Sequence, residues 1–500
     1  MSYQADLVRR SPVVLRPDSR RVIARPFLPG HELPSQGISR ADSVVQRLVA
    51  LPEMDVEKTL AATLAAHAGR HADLLASFRE HYELVAHRVP SGAGISSDRA
   101  DLIGAYLTHE YAIEAAALFN PSIAAHPDQS GLEPGEIRFI MTARAVGEGH
   151  VSSVEFRTGT LAAHDVVRLD EARTHLTTGR MTQSPMSTEF LREALDEDGD
   201  AVTAQSVLGR LPEQFTAPQL EAVLASSELD SPRRSGPDGL LDRIRRMAAS
   251  TYELTFPTTS DLSERVIFPR TEAESHGIED ARLVRFTDDD GSIRYYATYT
   301  AYDGSGIAPH LLSTTDFETF SMRPQLGLAA KNKGMALFPR RIGGSYWSLS
   351  RWDRESISVA SSVDALRWGQ PVTVLRPTQP WELIQLGGCS SPLETAEGWI
   401  VITHGVGPMR TYGLGAVLLD LDDPTLVLGA LTEPLMTAAP DERDGYVPNV
   451  LYSCGGLIRD ETIVLPYGCS DSSIRFAFID LPGLLSRLLA DPGTVPASER

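Results

Sequence analysis

The sequence predicts a mainly β protein, a five-bladed β-propeller with an additional α-helical N-terminal segment and a helical insertion. Five stretches repeat one pattern of three short apolar runs, which are rich in Val, Ile, Tyr, Phe, Trp and Thr and are broken by Gly, Pro and Asp. Such runs are typical of β-strands. The pattern recurs about every 50–60 residues, a period that fits the blades of a propeller better than the turns of a solenoid.

Each predicted blade begins with an apolar segment beside a polar residue, a Gly or a Pro. These first segments start at Ala116, Gly277, Gly334, Gly387 and Gly445. A second strand-like run, such as RYYATYTAY, and a third, such as PHLLSTTDFETF, follow each first segment. The three runs of one repeat are therefore predicted to be neighbouring strands of one blade.

The rest of the chain is predicted to be mostly helical. Residues 1–118 form an N-terminal arm and helical region: residues 1–40 carry strand-like pieces, for an outer strand or an arm that closes the ring, and apolar residues of 41–117 recur at helical spacing. A further helix is predicted over residues 101–118. The other predicted parts are a first blade at 119–160, a helical insertion at 161–250, four blades at 251–485 and a C-terminal tail at 486–500. We expect the helical parts to be structural or to form an oligomer interface.

The composition limits the classes of function. Of the 500 residues, 42% are apolar, which is ordinary for a soluble globular protein. The formal net charge of −20 argues against a general nucleic-acid or membrane-surface binder, so an anionic ligand has to be held by a local basic cluster. The first residues lack the apolar core of a signal peptide, and no run of about 18 apolar residues appears. We therefore expect a cytoplasmic protein.

The sequence predicts neither a disulfide framework nor a metal site. The three cysteines lie in or beside apolar runs without metal-ligand spacing. His404 stands alone on its predicted strand, and His276 is not at ligand spacing with another His. The run DDDG at 288–291 lacks the alternating ligands of a calcium loop, so a hairpin turn is predicted. Chemistry without a cofactor is the expectation.

Polar residues from every predicted blade converge on one mouth of the ring. In a propeller the start of the first strand and the end of the second lie at the same mouth, where functional groups on a rigid frame commonly form binding sites. The first strands offer Asn120, Glu279, Asp280, Arg282, Lys333, Glu394 and Asn449. The second strands offer Arg144, Tyr302, Asp303, Arg351, His404 and Asp471. The alternative for each residue is that it merely forms a turn, as Asp and Asn often do.

Asp280 is the candidate acid at this mouth. If its segment alternates faces, Asp280 and Arg282 share one face and Glu279 lies on the other. An adjacent Arg lowers the pKa of a carboxyl, whereas burial or a second carboxylate raises it. A paired acid in a channel is a plausible general acid. The alternative is a structural Asp–Arg pair.

Lysine usage provides a second indication. The chain has three lysines, Lys58, Lys331 and Lys333, among 46 basic residues. Two of them stand directly before a predicted first strand. A compact ammonium meets hydroxyl or phosphate oxygens differently from a planar guanidinium, so Lys333 is a candidate ligand contact. The alternative is a solvated loop.

The segments HGIEDARL, NKGMALFPRRIGGSYWSLSR, EGWIVITHGVG, LLDLDDP and YGCSDSSI occur in this order along the chain. Together they resemble glycoside hydrolase family 130, the mannoside phosphorylases and β-mannosidases. The resemblance covers about residues 119–160 and 251–485. It implies a five-bladed propeller and an inverting mechanism. The helical segments have no counterpart in the short members of the family.

The resemblance implies roles for individual residues. The general acid of the family is the Asp of a Glu-Asp-Pro-Arg motif, which corresponds to Asp280, although Ala281 stands where the family has Pro. That acid protonates the glycosidic oxygen through a sugar hydroxyl. The positions implied for the sugar are Asn120, Arg144 and Asp471, and those for phosphate are Lys333, Arg351 and His404. From their place at the mouth we add Glu279, Arg282, Tyr302 and Asp303 for the substrate, and Arg410 is a further candidate for phosphate or water.

One departure from the family favours hydrolysis. Where phosphorylases have a lysine that holds phosphate, this chain has Glu394. A carboxylate within about 4 Å of phosphate repels it by roughly 4 kcal/mol at an effective dielectric of 20. A carboxylate there can instead activate water, because inverting glycosidases place two carboxyl groups about 6.5–9.5 Å apart. The alternative is that Glu394 points outward and that Glu397 or Arg410 reshapes the site.

The first hypothesis is therefore an inverting hydrolase of short β-mannosides, with Asp280 as acid and Glu394 as base. The second is a phosphorylase that releases mannose 1-phosphate, with inorganic phosphate as co-substrate at Lys333, Arg351 and His404. A third, from another class, is a carbohydrate-binding propeller without catalysis. A protein-interaction propeller of the WD type is disfavoured, since the repeats lack Gly-His and Trp-Asp signatures. The expected partner is a β-mannoside oligosaccharide, with oligomeric state left open.

Overall fold

The computed structural model describes residues 6–29, 39–197, 200–226 and 239–490. The chain divides into two compact units. The smaller unit consists of Asp18–Ala115 and Ala172–Thr178, and the larger unit contains the other described residues. The smaller unit therefore ends close to the predicted boundary at residue 118, but a short later segment also belongs to it. Of the predicted C-terminal tail, residues 491–500 lie outside the described residues.

The α-helices fall into an early set, a middle set and a final helix. They are α1 Arg40–Val49, α2 Glu53–His67, α3 Leu74–Glu83, α4 Ser97–Tyr106, α5 Thr188–Glu197, α6 Ala201–Leu208, α7 Ala217–Ala225, α8 Leu240–Ala249 and α9 Leu481–Ala490.

The strands of the first half are β1 Val8–Leu15, β2 Val22–Pro26, β3 Thr108–Ala112, β4 Ala117–Ala125, β5 Ile137–Val146, β6 Ser152–Ala162, β7 Val166–Leu169, β8 Arg180–Gln183, β9 Met186–Ser187, β10 Gln214–Phe215, β11 Tyr252–Thr255 and β12 Val266–Ile267. The later strands are β13 Gly277–Thr287, β14 Ile293–Tyr302, β15 Ile307–Thr314, β16 Thr319–Pro324, β17 Leu326–Gly327, β18 Ala336–Leu337, β19 Tyr346–Ser350, β20 Ile357–Ser362, β21 Arg367–Trp368, β22 Val372–Leu375, β23 Gln385–Gly388, β24 Leu393–Glu394, β25 Trp399–Val406, β26 Tyr412–Leu419, β27 Val427–Ala430, β28 Met436–Thr437, β29 Leu451–Tyr452, β30 Leu457–Arg459, β31 Thr462–Cys469 and β32 Ser473–Asp480.

The smaller unit packs α1–α4 around an apolar core beside the antiparallel pair β2–β3. Helix α1 begins with a capping box, in which the Ser39 side chain accepts from the Asp42 N–H and Asp42 accepts from the Ser39 N–H. Gly104 of α4 lies against the backbone of Phe78 in α3, where a side chain would collide. The sequence prediction of a helix over 101–118 is thus only partly right, because α4 ends at Tyr106 and a strand follows.

The larger unit is built from five groups of antiparallel strands, numbered here as strand groups 1 to 5. Group 1 is β4–β7, group 2 is β13–β16, group 3 is β18–β20 with β22, group 4 is β23–β28 and group 5 is β29–β32 with β1. Groups 1 and 2 join into one sheet through a parallel contact between Ser152 and Gly277. The mainly β class predicted from the alternating apolar runs is confirmed.

Hydrophobic cores join each strand group to the next and the last to the first. Phe156 of group 1 packs with Leu283 of group 2, and Phe286 of group 2 with Tyr346 of group 3. Similar cores join group 3 to group 4 and group 4 to group 5. The cycle is completed by a core in which Phe139 of group 1 meets Phe476 of group 5. The five groups therefore pack in a closed order.

Strand β1 is the outermost strand of group 5, although it comes from the start of the chain. It pairs antiparallel with β32, for example Val8 with Ile479. This pairing satisfies the free edge of the last strand, which would otherwise expose unpaired backbone groups. The expectation that residues 1–40 supply an outer strand agrees with this arrangement for β1.

The middle helices α5–α8 form a small apolar core of their own around Leu191, Leu208 and Leu220. They contact strand β21 through the Glu193–Arg367 ion pair at 3.0 Å. Helices α5–α8 lie within the predicted helical insertion at 161–250, of which residues 198–199 and 227–238 are outside the described residues, but its first part is not α-helical. Strands β7 and β8 lie in this part: β7 pairs with β6 of group 1, and β8 pairs with β11, which in turn pairs with β16 of group 2.

The predicted hairpin at 288–291 is present between β13 and β14. Gly291 donates a backbone hydrogen bond of 2.9 Å to the Asp288 carbonyl. Gly291 has a φ of 82°, which suits a residue without a side chain. The acidic run therefore serves as a turn.

Candidate active site

Two residues at the starts of the first strands of groups 1 and 2 face each other. Asn120 Nδ2 donates a hydrogen bond of 2.6 Å to Asp280 Oδ1, and both residues are buried. Asn120 and Asp280 have φ values of 48° and 56°, in the left-handed region that non-glycine residues adopt with strain. Strained backbone of this kind clusters at functional sites.

The strain reflects a β-bulge in each first strand. The pairing register shifts between Phe119 and Ser122 in β4, and between Glu279 and Arg282 in β13. A bulge adds a residue to one strand and redirects its side chain. The expectation that Asp280 shares a face with Arg282 and that Glu279 lies opposite is therefore wrong, because alternation stops at the bulge. Instead, Glu279 and Asp280 contact the same guanidinium.

That guanidinium belongs to Arg144 on β5. Its Nη2 donates to Glu279 Oε1 at 2.6 Å and its Nη1 to Asp280 Oδ1 at 3.3 Å. The Arg144 guanidinium also lies 5.1 Å from the centre of the Phe119 ring, a cation–π contact. The second oxygen of Glu279 accepts a hydrogen bond from Lys333 Nζ. Two cations thus hold the two neighbouring carboxylates.

The electrostatics keep Asp280 ionised in the free site. Burial alone would raise its pKa, but Arg144, Lys333 and Arg282, with the hydrogen bond from Asn120, lower that pKa to about 2. Burial also opposes the charge of Arg144, yet Asp280, Glu279 and Asp471 raise its pKa above the ordinary value. Asp280 is therefore an anion unless a ligand changes the surrounding charges.

Asp471 is the carboxyl group with the opposite tendency. It follows β31, with a φ of 49°. Burial raises its pKa to about 6, while Arg144 lowers the pKa, Asp280 raises it and Arg410 lowers it. The predicted sugar position Asp471 therefore shares an electrostatic environment with Arg144, Asp280 and Arg410. Its protonation changes near neutral pH.

Arg282 lies close enough to this cluster to act on the charge of Asp280, but its hydrogen bonds go to other residues. It is almost fully buried, and its Nε donates to the Cys389 carbonyl at 3.0 Å and its Nη2 to the Tyr452 hydroxyl at 2.8 Å. These contacts join groups 2, 4 and 5. We assigned Arg282 to substrate binding from the sequence, but its guanidinium is engaged by the protein. Tyr452 was not predicted as a site residue from the sequence, since an isolated Tyr in an apolar strand has no distinguishing pattern.

Arg351 and His404 form the basic part of the site. Arg351 Nη1 lies 3.1 Å from His404 Nε2, and Gln385 Nε2 lies at the same distance from that nitrogen. Burial, then Arg351 and Arg282, lower the His404 pKa well below its ordinary value. His404 is therefore neutral, with Nε2 accepting from Arg351 and the proton on Nδ1, which faces Cys389 Sγ at 3.5 Å.

The Arg351–His404 contact requires a glycine at position 387. A Cβ atom there would lie 2.6 Å from the His404 ring and 3.1 Å from Arg351 Nη1. Arg351 Nε is buried and has no hydrogen-bond partner among the described residues. The guanidinium thus retains an unused donor. We call the set Asn120, Arg144, Glu279, Asp280, Lys333, Arg351, His404 and Asp471 the mouth site.

Two predicted substrate residues have structural contacts. Asp303 Oδ1 accepts from the backbone N–H groups of Ser305 and Gly306, at 2.8 and 2.6 Å, and so holds the turn after β14. Burial favours the neutral form of Asp303, but these hydrogen bonds lower its pKa below the ordinary value. The Tyr302 hydroxyl donates to the Gly304 carbonyl at 3.0 Å, and its ring packs against His276. The turn alternative describes Asp303 better.

Glu394 does not join the mouth site. It lies in the short strand β24, and its side chain is 44% exposed and forms an ion pair with Arg340 at 2.8 Å. Arg340 in turn lies over the Trp399 ring at 4.8 Å. The predicted pairing of Asp280 with Glu394 across a water is therefore corrected: the chain bends at Ser390–Ser391 after β23, so Glu394 lies in β24 and away from the start of its first strand. The outward-pointing alternative is the observed one.

Glu394 instead lines a cavity of about 360 Å³. Its lining comes from the later parts of the first strands and the segments that follow them: 123–125, 283–285, 287, 339–340, 391–394 and 455–458. Asn120 and Asp280 lie near the other ends of β4 and β13. The cavity is therefore at the opposite ends of these strands from the mouth site.

The part of the chain that the structure describes shows neither a cluster of metal ligands nor a membrane-spanning helix. No group of three or more His, Cys, Asp or Glu side chains there is arranged to hold a metal ion. No helix in the same part of the chain is long and apolar enough to span a membrane.

Comparison with known proteins adds the family. Residues 257–488 match the family model described as beta-1,4-mannooligosaccharide phosphorylase. The chain is 34% identical over 224 residues to a 1,2-beta-oligomannan phosphorylase of Thermoanaerobacter sp. strain X514, which covers 44% of this chain and 74% of that protein. The chain belongs to glycoside hydrolase family 130. The family predicted from the sequence segments is confirmed, and with it the prediction of a carbohydrate-active enzyme.

A second family 130 relative is the beta-1,2-mannobiose phosphorylase of Listeria innocua. It is 32% identical over 230 residues, which is 44% of this chain and 63% of that protein, so the chain spans under two thirds of its length in the alignment. The solved structure of a Listeria innocua beta-1,2-mannobiose phosphorylase with beta-1,2-mannobiose has 22% identity and a TM-score of 0.46, covering 76% of this chain and 94% of the other.

Proposed function

We propose that this protein is a β-mannoside phosphorylase that cleaves short β-mannosides with inorganic phosphate and releases mannose 1-phosphate. The five strand groups are, in this proposal, the blades of a five-bladed propeller with the mouth site at one end of its axis. The observation that carries the proposal is the Arg351–His404 pair beside Asp280. Three of the relatives are named phosphorylases of β-mannobiose or oligomannan, which supports the substrate class.

The charge at the mouth site favours an anionic co-substrate. Five cations lie in or beside it: Arg144, Arg282, Lys333, Arg351 and Arg410. They outnumber the three carboxyl groups there, in a chain with a net charge of −20. Arg351 keeps a buried Nε–H without a partner among the described residues, and a bound phosphate oxygen would accept from it. Because the chain is acidic overall, an anion can be held only where positive charge is concentrated locally, as it is at the mouth site.

The position of Glu394 supports phosphorolysis over hydrolysis. A hydrolase needs a carboxylate that activates water opposite the acid. Glu394, the sequence candidate for that role, is paired with Arg340 at the opposite ends of the first strands. Repulsion of phosphate by Glu394, which led us to favour hydrolysis from the sequence, therefore does not act at the mouth site.

In the proposed reaction, a phosphate oxygen attacks the anomeric carbon of the β-mannoside as the glycosidic bond breaks. Hydrogen phosphate contributes the oxygen that bonds to mannose, and it loses its proton in the reaction. The departing sugar oxygen gains one proton and leaves as a hydroxyl group, so the protons balance. Asp280 is the group that passes a proton towards that leaving oxygen. Asn120, Arg144 and Asp471 hold the mannose unit.

The free site keeps Asp280 ionised, so its proton must arrive with the substrates. Lys333 is one of the groups that lower the pKa of Asp280. A phosphate held by Lys333 and Arg351 offsets part of this positive charge, and the pKa of Asp280 then rises. Phosphate binding and proton availability at Asp280 are in this way coupled through Lys333.

The deciding experiment compares cleavage with and without orthophosphate. The purified protein is incubated with β-1,2-mannobiose or β-1,4-mannobiose, and the products are followed by phosphorus NMR. We expect mannose 1-phosphate in the α configuration with at least one of the two, and no release of free mannose from the non-reducing end in the absence of phosphate. Equal cleavage in phosphate-free buffer would overturn the proposal and restore the hydrolase hypothesis.

A further inference from the structure

The turn that carries Asp471 has a half-exposed aromatic neighbour. Tyr446 lies in the loop before β29, and 51% of its surface is exposed. The loop is fixed to the Asp471 turn, because Val447 donates a backbone hydrogen bond of 3.0 Å to the Ser470 carbonyl. At Gly445 a side chain would collide with Ser470, so the two backbones are in close contact. Tyr446 is therefore exposed on a loop with well-defined anchors.

A residue of group 1 holds the Tyr446 ring. The Tyr446 hydroxyl lies 2.8 Å from His150 Nδ1, and the two ring centres are 5.8 Å apart. His150 has a φ of 60° and belongs to the turn between β5, which bears Arg144, and β6. The hydrogen bond thus joins the turn after β5, the strand that bears Arg144, to the loop that contacts the Asp471 turn. It orients an aromatic face that solvent can reach.

Exposed aromatic side chains are unusual in this unit. Among the described residues of the larger unit, the exposed aromatic side chains are Trp352 and Tyr446. Trp352 directly follows Arg351 of the mouth site. A Tyr whose hydroxyl group is hydrogen-bonded and whose ring is exposed offers an oriented apolar face that a ligand can cover. Pyranose rings offer apolar C–H faces that pack on aromatic rings, while their hydroxyl groups remain in water.

We propose that Tyr446, held by His150, is a stacking surface for an outer sugar unit of an oligosaccharide substrate, beyond the two sugars that flank the cleaved bond. The inference rests on the proposed function for the identity of the substrate. It deepens that function, because it predicts that the enzyme prefers chains longer than a disaccharide. Tyr446 is here a specificity residue and takes no part in bond cleavage.

The test compares a disaccharide with a tetrasaccharide of the same β-mannosidic linkage. For Tyr446→Ala we expect kcat/KM for the tetrasaccharide to fall about tenfold, which is equivalent to about 1.4 kcal/mol. The fall should come from a higher KM. The value of kcat/KM for the disaccharide stays close to that of the wild type. Tyr446→Phe keeps the ring and most of the tetrasaccharide activity, whereas His150→Ala gives an intermediate loss. Tyr106→Ala is the matched control, since Tyr106 is 50% exposed and lies in the smaller unit.

Two results would overturn the inference. Tyr446→Ala could cleave the tetrasaccharide as well as the wild type does, or it could lose activity on the disaccharide and the tetrasaccharide equally. Failure of the proposed function looks different, because the wild type itself would then cleave both saccharides equally well without phosphate, or would cleave neither. In that case ligand-observed NMR measures binding of the same two saccharides. Weaker tetrasaccharide binding by Tyr446→Ala than by Tyr106→Ala supports the stacking surface, and equal or absent binding contradicts it.

Discussion

Asn120 and Asp280 are 160 positions apart in the chain, yet the amide of one donates a 2.6 Å hydrogen bond to the carboxylate of the other. Each residue stands at a bulge in the first strand of its group, with backbone in the left-handed region. The matching bulges turn both side chains towards the same point. The proposed acid and one proposed sugar-holding position are thereby brought together from two separate strand groups.

Removal of the Asp280 carboxylate should abolish most turnover. For Asp280→Asn we expect kcat to fall about 10²–10⁴-fold, the usual contribution of general acid catalysis. The variant should remain folded, since the amide still fits between Asn120 and Arg144. Steady-state kinetics with β-mannobiose and phosphate measure the loss, and thermal denaturation checks the fold. Turnover close to that of the wild type would remove Asp280 from the mechanism.

Lys333 should matter for phosphate and its neighbour Lys331 should not. Lys333 contacts Glu279 in the mouth site, whereas Lys331 lies 3.9 Å from Glu197 of α5. In Lys333→Met we expect the KM for phosphate to rise at least about tenfold. The reason is that the variant loses a hydrogen bond to a charged group, and such a bond contributes about 1.5–3 kcal/mol. Lys331→Met serves as the matched control with an unchanged KM. The same shift in both variants would point to a general charge effect.

Glu394→Gln should leave the reaction unchanged. The side chain is half exposed and pairs with Arg340 at the opposite ends of the first strands, so it has no part in the mouth site. Exposed pairs of this kind contribute about 0–1 kcal/mol to stability, and only a small change in melting temperature is expected. Kinetics at saturating phosphate provide the measurement. A loss comparable to that of Asp280→Asn would bring back the predicted base.

The protonation of Asp471 should appear in the pH dependence of stability. Its folded pKa of about 6 lies above the ordinary value, so its contribution to stability is complete below the ordinary pKa and is lost as the pH rises through about 6. Asp471→Asn cannot titrate. The melting temperature of the variant minus that of the wild type should therefore become more positive between about pH 4 and pH 7.

Asp303→Asn is the control of opposite sign. Hydrogen bonds from its turn lower the pKa of Asp303 despite burial, so its contribution to stability is present above the ordinary pKa and lost as the pH falls. The melting temperature of Asp303→Asn relative to the wild type should become more negative as the pH rises. Two variants with the same trend would contradict the assignment of Asp471.

Arg282 should be needed for stability more than for substrate affinity. Its guanidinium donates to the Cys389 carbonyl and the Tyr452 hydroxyl, and it lies in the field of Asp280. In Arg282→Met these acceptors remain buried without a donor, and we expect the free energy of unfolding to fall by about 3 kcal/mol or more. The exposed Arg323→Met is the comparison. Denaturant unfolding measures both, and equal stability would contradict the structural role.

Much of the fold could be predicted from local patterns. The alternating apolar runs predicted the strands of the larger unit, and the helical spacing of 41–117 predicted most of the smaller one. Boundaries were less accurate: α4 ends at Tyr106 and the chain turns into β3 and β4. Propensity near residues 107–118 permits a helix, but pairing of β3 with β2 and of β4 with β5 outweighs it.

The site was predictable as a set of positions but only partly as a geometry. The sequence order of strand starts and ends brought together Asn120, Arg144, Asp280 and Asp471, which the structure places in one environment. The side chains that complete it, Gln385 and Tyr452, had no recognisable signal. Glu394 occupied the right place in a motif, but the chain bends after Gly388 and moves its side chain away.

The sequence alone determined the family, the mainly β class and the positions that gather at the mouth, because strand patterns and motifs are local and survive in the order of residues. The tertiary structure decided which carboxylate faces which cation. Two bulges override the two-residue alternation of strands, and packing between groups directs Glu279 and Asp280 to one guanidinium and Arg282 to another environment. Such choices depend on contacts between distant segments, which no local pattern records.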